Sequence, residues 1–128
     1  MNNLIVDAAG DKIFLTFIVS ENIYTCSHEN SKINFEKLMV LINEFLINNK
    51  SSIDNIGAIY VNRGPGSFAG IRNSLATIKA LFLTKKIDYY CFSFEDFKES
   101  EGISYADVPQ LCKKYKIKKN LINPIYLS

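Results

Sequence analysis

The sequence has little histidine or cysteine and lacks an apolar run long enough to span a bilayer. Its 128 residues include one histidine and three widely spaced cysteines, with no Cys-x-x-Cys pair. An odd number of separate cysteines argues against a disulfide framework or a zinc site and predicts reduced thiols, as in the cytoplasm. Charged residues such as Asp7, Asp11, Lys12 and Glu21 interrupt the N-terminal apolar residues. Neither a membrane-spanning helix nor a signal peptide is predicted.

The composition is typical of one soluble globular domain. Hydrophobic residues make up 48% of the chain and charged residues 22%, which is ordinary for such proteins. A chain of 128 residues is long enough to bury one core. The formal net charge of +2 is too small to indicate nucleic-acid binding on its own.

The N-terminal half predicts three strands followed by a helix. Apolar and β-branched runs at 4–6, 13–19 and 23–26 are joined by short turns, which is typical of an antiparallel meander. Residues 31–49 then carry apolar side chains at steps of three and four, the period of an amphipathic helix. Asn34 is the predicted N-cap of that helix.

The rest of the chain predicts alternating strands and helices. Strands are expected at 56–61 and 88–93, a helix from about Ser67, and a short helix at 94–99. The order βββαβαβα predicts an α/β fold with a mixed five-stranded sheet and helices on its faces. Ribonuclease-H-like domains have this arrangement.

A glycine-rich loop joins the fourth predicted strand to the second helix. Three glycines and one proline fall between residues 64 and 70. A phosphate-binding P-loop requires lysine after its last glycine, but Ile71 and Arg72 follow Gly70. The dinucleotide fingerprint Gly-x-Gly-x-x-Gly is one residue shorter than this loop. We favour a structural turn capped by Ser67, although a helix N-terminus also offers N–H groups to an anion.

The same loop carries a resemblance to a known family. Residues 64–72 are Gly-Pro-Gly-Ser-Phe-Ala-Gly-Ile-Arg. They resemble the Gly-Pro-Gly-Ser-Phe-Thr-Gly-(Ile/Val/Leu)-Arg signature of the TsaB (YeaZ) proteins and differ from it only at Ala69. Residues 4–7, 34–38, 93–97 and 124–128 are similar to further segments of that family. The signature residues are Gly64, Pro65, Gly66, Ser67, Phe68, Gly70 and Arg72.

The resemblance implies a fold and a role. Residues 1–98 would form the first lobe of an actin-like (ASKHA) fold, and residues 99–128 a short remnant of the second lobe or a C-terminal tail. The chain would be a non-catalytic scaffold of the complex that adds threonylcarbamoyl to adenosine 37 of tRNA. Its partners would be a catalytic paralogue of the TsaD type, an ATPase subunit of the TsaE type as an optional third member, a second copy of itself when alone, and tRNA through the complex.

The resemblance also implies that this chain needs no metal or cofactor of its own. The catalytic paralogue holds its metal with a His-x-x-x-His pair, and the single histidine His28 cannot supply one. The alternative is a degenerate nucleotide-binding enzyme of the actin/sugar-kinase superfamily. Its candidate cofactor-binding residues are Asp7, Gly66 and Ser67, although a strand-end aspartate in a turn is the commoner role for Asp7.

The two long predicted helices carry more apolar surface than one buried stripe requires. Residues 38–42 are apolar around the whole helix, and the second helix has small residues on a separate face, where another helix can approach closely. Periodicity alone also allows simple core burial; the resemblance favours a partner surface. The predicted interface residues are Leu38, Leu41, Phe45, Ala69, Arg72, Ala76 and Ala80.

Two further clusters have an ordinary and a functional interpretation. Cys26, His28 and Glu29 lie near one another in sequence and could ligate a metal, but one histidine with one cysteine is more often incidental. Five lysines fall between Lys113 and Lys119. They are expected to form a solvated face, with tRNA phosphate contact as the alternative.

Overall fold

A computed structural model describes residues 2–99 and 101–126 and contains the predicted mixed five-stranded sheet. The strands lie in the order β3-β2-β1-β4-β5. β1 pairs antiparallel with β2, and β2 with β3, whereas β1, β4 and β5 run parallel. The strands are β1 (Asn3–Asp7), β2 (Lys12–Val19), β3 (Asn22–Glu29), β4 (Ala58–Asn62) and β5 (Asp88–Phe92).

Helices cover the connections and the C-terminal region. They are α1 (Lys32–Glu36), α2 (Leu38–Asn48), α3 (Phe68–Lys85) and α4 (Val108–Lys114), with short 3₁₀ turns at Ile53–Asn55, Phe94–Asp96 and Tyr105–Asp107. No helix among the described residues combines the length and apolarity needed to cross a membrane.

The predicted helix at 31–49 is divided in two. Lys37 leaves helical geometry, with φ −113° and ψ 25°, and separates α1 from α2. The N-cap is Ser31 rather than Asn34, because the extended Ser31 accepts a hydrogen bond on Oγ from the Asn34 backbone at 3.2 Å. Asn34 lies inside α1 and donates its side-chain amide to the carbonyl of Glu29. The sequence pattern missed this break because apolar periodicity continues across it.

Two other predicted boundaries also move. The strand expected at 56–61 begins at Ala58, after a 3₁₀ turn. The helix expected at 94–99 is only the 3₁₀ turn Phe94–Asp96. Ser93 caps that turn from the end of β5, and its backbone N–H donates to the Asp96 carboxylate at 2.8 Å. This capping box satisfies backbone N–H groups at the start of the turn.

One face of the sheet packs on α1, α2 and α3. The apolar stripes of the helices point inward, and the inward side chains of the strands meet them in one continuous core. Members with less than 2% exposure include Leu4, Val6, Ile13, Leu15, Phe17, Leu38, Ile42, Leu46, Ile59, Val61, Ile71, Ile78 and Tyr89.

The other face of β1, β4 and β5 is covered by the C-terminal region, whereas the same face of β3 is exposed. Val108, Leu111 and Cys112 of α4 are buried against Ile5 and Phe92, among other sheet residues. Residues 101–126, predicted as a lobe remnant or tail, therefore share a core with the strands of the predicted first lobe. Sequence periodicity did not indicate α4, because a helix of only seven residues is too short to show a clear repeat.

The chain after α4 runs along the free edge of β5. Asn120 accepts the Tyr89 backbone N–H on its side-chain oxygen at 2.9 Å and donates its own backbone N–H to the Tyr89 carbonyl at 2.7 Å. A single antiparallel bridge joins Tyr90 to Lys119. These bonds cover backbone groups that would otherwise leave an open sheet edge. Of the segment 124–128 that resembles the family terminus, Leu127 and Ser128 lie outside the described residues.

We expect α4 to be essential to stability because it covers this second face. Val108→Asp places a carboxylate at a fully buried position, and we expect the free energy of unfolding to fall by about 3–5 kcal/mol. Gln110→Asp places the same charge on the exposed side of α4 and should change it by about 0.5 kcal/mol or less. Urea unfolding followed by circular dichroism measures both. Equal stability of the two variants would show that α4 does not cover the sheet.

Candidate functional site

The glycine-rich loop leaves the carboxyl end of β4 and enters α3 within five residues. Asn62, the last residue of β4, is buried and accepts the Gly64 N–H on its side-chain oxygen at 2.9 Å. Gly64 has φ +106°, a conformation that favours glycine. Ser67 caps α3 by accepting the Gly70 N–H on its hydroxyl at 3.1 Å. This is the predicted turn with the predicted cap.

The loop packs directly against the turn that follows β1. The Ser67 N–H donates to the carbonyl of Ala9 at 2.8 Å. A Cβ atom on Gly66 would overlap the Ala9 carbonyl, and one on Gly70 would overlap the Ala8 carbonyl. These two glycines therefore permit a close approach of two backbones. Because the N–H groups of Ser67 and Gly70 are bonded within the chain, the geometry favours a structural turn over a phosphate cradle.

The C-terminal residues hold the loop from its other side. The Arg63 guanidinium donates two hydrogen bonds to the Asp96 carboxylate, at 2.6 and 3.3 Å, and one to the Asn123 carbonyl at 3.0 Å. The Ile125 N–H donates to the Arg63 carbonyl at 2.7 Å. A side chain at Gly64 would meet the Ile125 carbonyl. The sequence prediction missed Arg63, although a lone arginine at a strand end beside the signature was a visible signal.

Asp7 lies at the carboxyl end of β1, where the alternative enzyme would need a free carboxylate. Its Oδ1 accepts the Ala9 N–H at 3.0 Å, and its Oδ2 accepts the Tyr105 hydroxyl at 2.6 Å. The Tyr105 ring also lies against Phe14 and Phe94, with centroids 5.8 and 6.1 Å away. Burial, and then the bond to Asp7, raise the pKa of Tyr105 far above its usual range. Tyr105 therefore stays a neutral donor to Asp7 at physiological pH.

Tyr105 was not identified from the sequence. It lies 98 residues from Asp7, in a region without a motif, so no local pattern could pair the two residues. In this contact the Tyr105 side chain covers the carboxylate of Asp7 at the end of β1.

The predicted interface residues divide into a buried and an exposed group. Leu38, Leu41 and Phe45 are only 1, 4 and 6% exposed and belong to the chain's own core. They therefore do not line the partner surface that the sequence had predicted, because α2 turns them toward the sheet. The members of the set that are exposed all lie on α3: Ala69, Arg72, Ala76 and Ala80.

The exposed face of α1, α2 and α3, which we term the helical face, carries two grooves. A groove of about 490 Å³ lies between α2 and α3, with Met39 and Asn43 on one side and Thr77 and Ala80 on the other. A second of about 420 Å³ lies between α1 and the start of α3 and includes Ala69.

Large apolar side chains are also exposed on α2 and α3. Val40 and Ile47 of α2 are 49 and 66% exposed, and Leu83 of α3 is 59% exposed. The hydroxyl of Thr77 is already bonded within α3, to the Asn73 carbonyl at 2.9 Å. The helical face therefore combines apolar projections and small residues with exposed charged side chains on all three helices.

The remaining candidates contain no assembled metal site. The Cys26 sulfur lies 3.8 Å from His28 Nε2, but the described residues include no group of three or more His, Cys, Asp or Glu side chains placed to hold a metal. In the lysine run, Lys114 pairs with Glu99 at 3.1 Å and Lys119 with Asp88 at 3.7 Å.

Comparisons with known proteins identify relatives of this chain. A protein-family model described as TsaD, tRNA N6-adenosine threonylcarbamoyltransferase, matches residues 28–93. The chain is 26% identical over 121 residues to the tRNA threonylcarbamoyladenosine biosynthesis protein TsaB of Buchnera aphidicola subsp. Schizaphis graminum, covering 93% of this chain and 52% of the relative. It is 34% identical over 83 residues to the TsaB protein of Buchnera aphidicola subsp. Baizongia pistaciae, covering 56% of this chain and 38% of the relative.

The solved structure of YeaZ from Pseudomonas aeruginosa has a similar fold. It superposes with a TM-score of 0.66 at 16% identity, over 72% of this chain and 43% of that chain. The chain thus spans about half, or less, of the length of the curated relatives it matches.

The close approach of the loop predicts a matched pair of glycine variants. Gly70→Ala forces the start of α3 away from the Ala8 carbonyl, and we expect it to lower the free energy of unfolding by about 1–3 kcal/mol. Gly10→Ala meets no atom within 4 Å and should leave stability unchanged or slightly higher. Chemical denaturation compares the two. If Gly70→Ala is as stable as Gly10→Ala, the packing of the loop on the Ala8 turn is wrong.

The Asp7–Tyr105 bond predicts a pH-dependent loss of stability. Tyr105→Phe leaves a buried carboxylate oxygen without its donor and should cost about 1.5–3 kcal/mol at pH 7. Because the folded pKa of Tyr105 lies above its usual 10.0, its contribution is full below pH 10 and declines as pH rises further. The stability gap between wild type and Tyr105→Phe should therefore narrow above pH 10.

Thermal unfolding between pH 7 and 11 measures that gap. Tyr24→Phe removes the hydroxyl of a tyrosine exposed on β3 and serves as the control, with no expected change at pH 7. A constant gap across this pH range would contradict the proposed role of the hydroxyl.

Proposed function

The chain belongs to the tRNA N6-adenosine threonylcarbamoyltransferase family as a TsaB/YeaZ-type member, and from this we propose that it is a non-catalytic scaffold subunit. It would dock to and activate a catalytic paralogue of the TsaD type, which would transfer threonylcarbamoyl to adenosine 37 of tRNA. In the absence of that paralogue it would pair with a second copy of itself. The observation that carries this proposal is the apolar, small-residue character of the helical face.

The physical argument begins at α3. Ala76 and Ala80 are exposed and lie one helical turn apart, so a partner helix can approach the α3 backbone closely there. Val40 and Ile47 project from the neighbouring α2 and offer apolar area to the same partner. A protein surface that exposes several large apolar side chains together is a candidate interaction site.

The glycine-rich loop supports this role by fixing the position of α3. Its close contact with the Ala8–Ala9 turn and the Ser67 cap set where the helix begins. The signature residues would then serve to hold α3 in the position at which a partner can dock. This role needs no contact with phosphate.

The non-catalytic part of the proposal rests on Asp7. In the alternative, a degenerate nucleotide-binding enzyme, this carboxylate would direct a metal or phosphate. Here both of its oxygens accept hydrogen bonds from within the chain, so a ligand would first have to displace Tyr105. We propose no cofactor or metal for this chain, and a cytoplasmic location with an ATPase subunit of the TsaE type as an optional third partner.

The docking surface is tested by charge placed on α3. Ala76→Arg and Ala80→Glu should each reduce co-purification with the catalytic paralogue, and self-association of the isolated chain, by about tenfold or more, because a bulky charge blocks close helix approach. Gln110→Arg on α4 adds charge to the opposite side of the sheet and serves as the control. Light scattering after size exclusion, with circular dichroism to check the fold, gives the result.

Two outcomes would contradict the proposal. Normal pairing of both α3 variants would place the interface elsewhere. Tight ATP binding to the isolated chain by calorimetry, accompanied by turnover, would instead support the nucleotide-binding enzyme.

A further inference from the structure

A cavity of about 380 Å³ opens on the side of the sheet opposite to the helical face. Its lining combines two tyrosines of neighbouring strands with residues of α4 and of the turn that follows it. The lining residues are Tyr60, Tyr90, Pro109, Cys112, Lys113, Lys116 and Ile117. We term it the tyrosine–lysine cavity. None of these residues belongs to the docking surface proposed above.

The aromatic part of the cavity is built into the sheet. Tyr60 and Tyr90 are register partners on β4 and β5, and their rings stack with centroids 5.0 Å apart and planes 10° from parallel. Tyr60 is buried, whereas Tyr90 is partly exposed. Burial raises the pKa of Tyr60 to about 12, with smaller contributions from Tyr90 and Cys112. Its hydroxyl is therefore neutral at physiological pH and does not repel an anion.

The lysines of the cavity have no salt-bridge partner among the residues that the structure describes. Lys114 and Lys119 pair with Glu99 and Asp88, as described above. Lys113 and Lys116, which line the cavity, and the neighbouring Lys118 are exposed. Within residues 2–99 and 101–126, no carboxylate lies within 4.0 Å of the amines of these three lysines. The unpaired positive charge is thus concentrated at the mouth of an aromatic cavity.

Aromatic rings beside unpaired cations are the two elements by which proteins hold single-stranded nucleic acids. A base gains energy by stacking on a tyrosine, and lysines neutralise the phosphates on either side of it. A surface of lysines alone would be an ordinary solvated face. The cavity under the lysines distinguishes this site from such a face, because it gives a flat ring a place to enter.

We propose that the tyrosine–lysine cavity binds a single-stranded segment of RNA. A base would enter beside Tyr90, and Lys113, Lys116 and Lys118 would contact successive phosphates. Three unpaired lysines spread over six positions exceed what one phosphate can engage, which favours a strand over a free nucleotide. This proposal rests on the scaffold function and deepens it by giving the chain its own contact with RNA, on a surface that leaves the helical face free.

The site is tested with the full chain and a fluorescent 12-nucleotide single-stranded RNA, by anisotropy at several salt concentrations. Lys113→Gln with Lys116→Gln should weaken binding at least tenfold and reduce the slope of log affinity against log salt by about 1.4, which is about 0.7 for each phosphate that is no longer neutralised. The matched control is Lys50→Gln with Lys86→Gln, two exposed lysines outside the cavity. It makes the same change of charge and should bind nearly as the wild type does.

The base contact is tested separately. Tyr90→Ala should weaken binding about 5- to 150-fold with little change in the salt slope, and circular dichroism shows whether the variant is folded. Photochemical cross-linking of RNA to the wild type, mapped by mass spectrometry, should identify Tyr90 without any substitution. AMP at millimolar concentration should compete poorly, and effective competition would show a free-nucleotide site instead.

Three results would overturn the proposal. These are no RNA binding by the wild type at low salt, an equal decrease of affinity in the two double-lysine variants, or equal affinity for duplex and single-stranded RNA. Each can be separated from failure of the scaffold proposal. If Lys113→Gln with Lys116→Gln no longer binds RNA but still co-purifies with the catalytic paralogue, the two surfaces act independently, as proposed.

Discussion

The tightest constraint in this molecule is the contact between two backbones, at the Ala8–Ala9 turn and the glycine-rich loop. β1 and β4 are neighbouring parallel strands, so their carboxyl ends lie side by side at the same end of the sheet. The chain segments that leave them are therefore packed closely together. Gly66 and Gly70 permit this close packing because they have no side chain where the carbonyls of Ala9 and Ala8 lie. The start of α3 is fixed as a result, and with it the exposed face of that helix.

The second constraint is that the sheet has two apolar faces to cover. α1, α2 and α3 cover the first, whereas a short α4 and the chain beside β5 cover the second over β1, β4 and β5. The same C-terminal residues tie Arg63 and Gly64 in place and supply Tyr105 to Asp7. An antiparallel strand can leave one face in water, whereas parallel strands such as β1, β4 and β5 are normally covered on both faces. One short segment, residues 101–126, does this here while also bracing the loop.

The fold was predictable where periodicity and turn chemistry agree, and less so where contacts are distant. The five strands and the long helix from Ser67 follow from local pattern. The break at Lys37 did not, because the apolar period crosses it without a Gly or Pro. At the candidate site, the Ser67 cap was predictable from its neighbours, but the Tyr105 bond to Asp7 depends on residues far apart in sequence. The sequence also could not show which apolar residues of α2 lie in the chain's own core, because this part of the helix is apolar on all sides.

The two proposed surfaces differ in the physics that each can use. The helical face has small residues and apolar projections, so much of its interaction energy would come from buried area and close backbone approach, which salt affects little. The tyrosine–lysine cavity has unpaired cations, so much of its interaction energy would come from counterion release, which salt weakens strongly. The sheet and its two cores separate the two surfaces. Charge at the cavity should therefore have little effect on the binding of a partner to the helical face. A single five-stranded sheet can in this way present an apolar partner site and a cationic one on opposite sides without mutual interference.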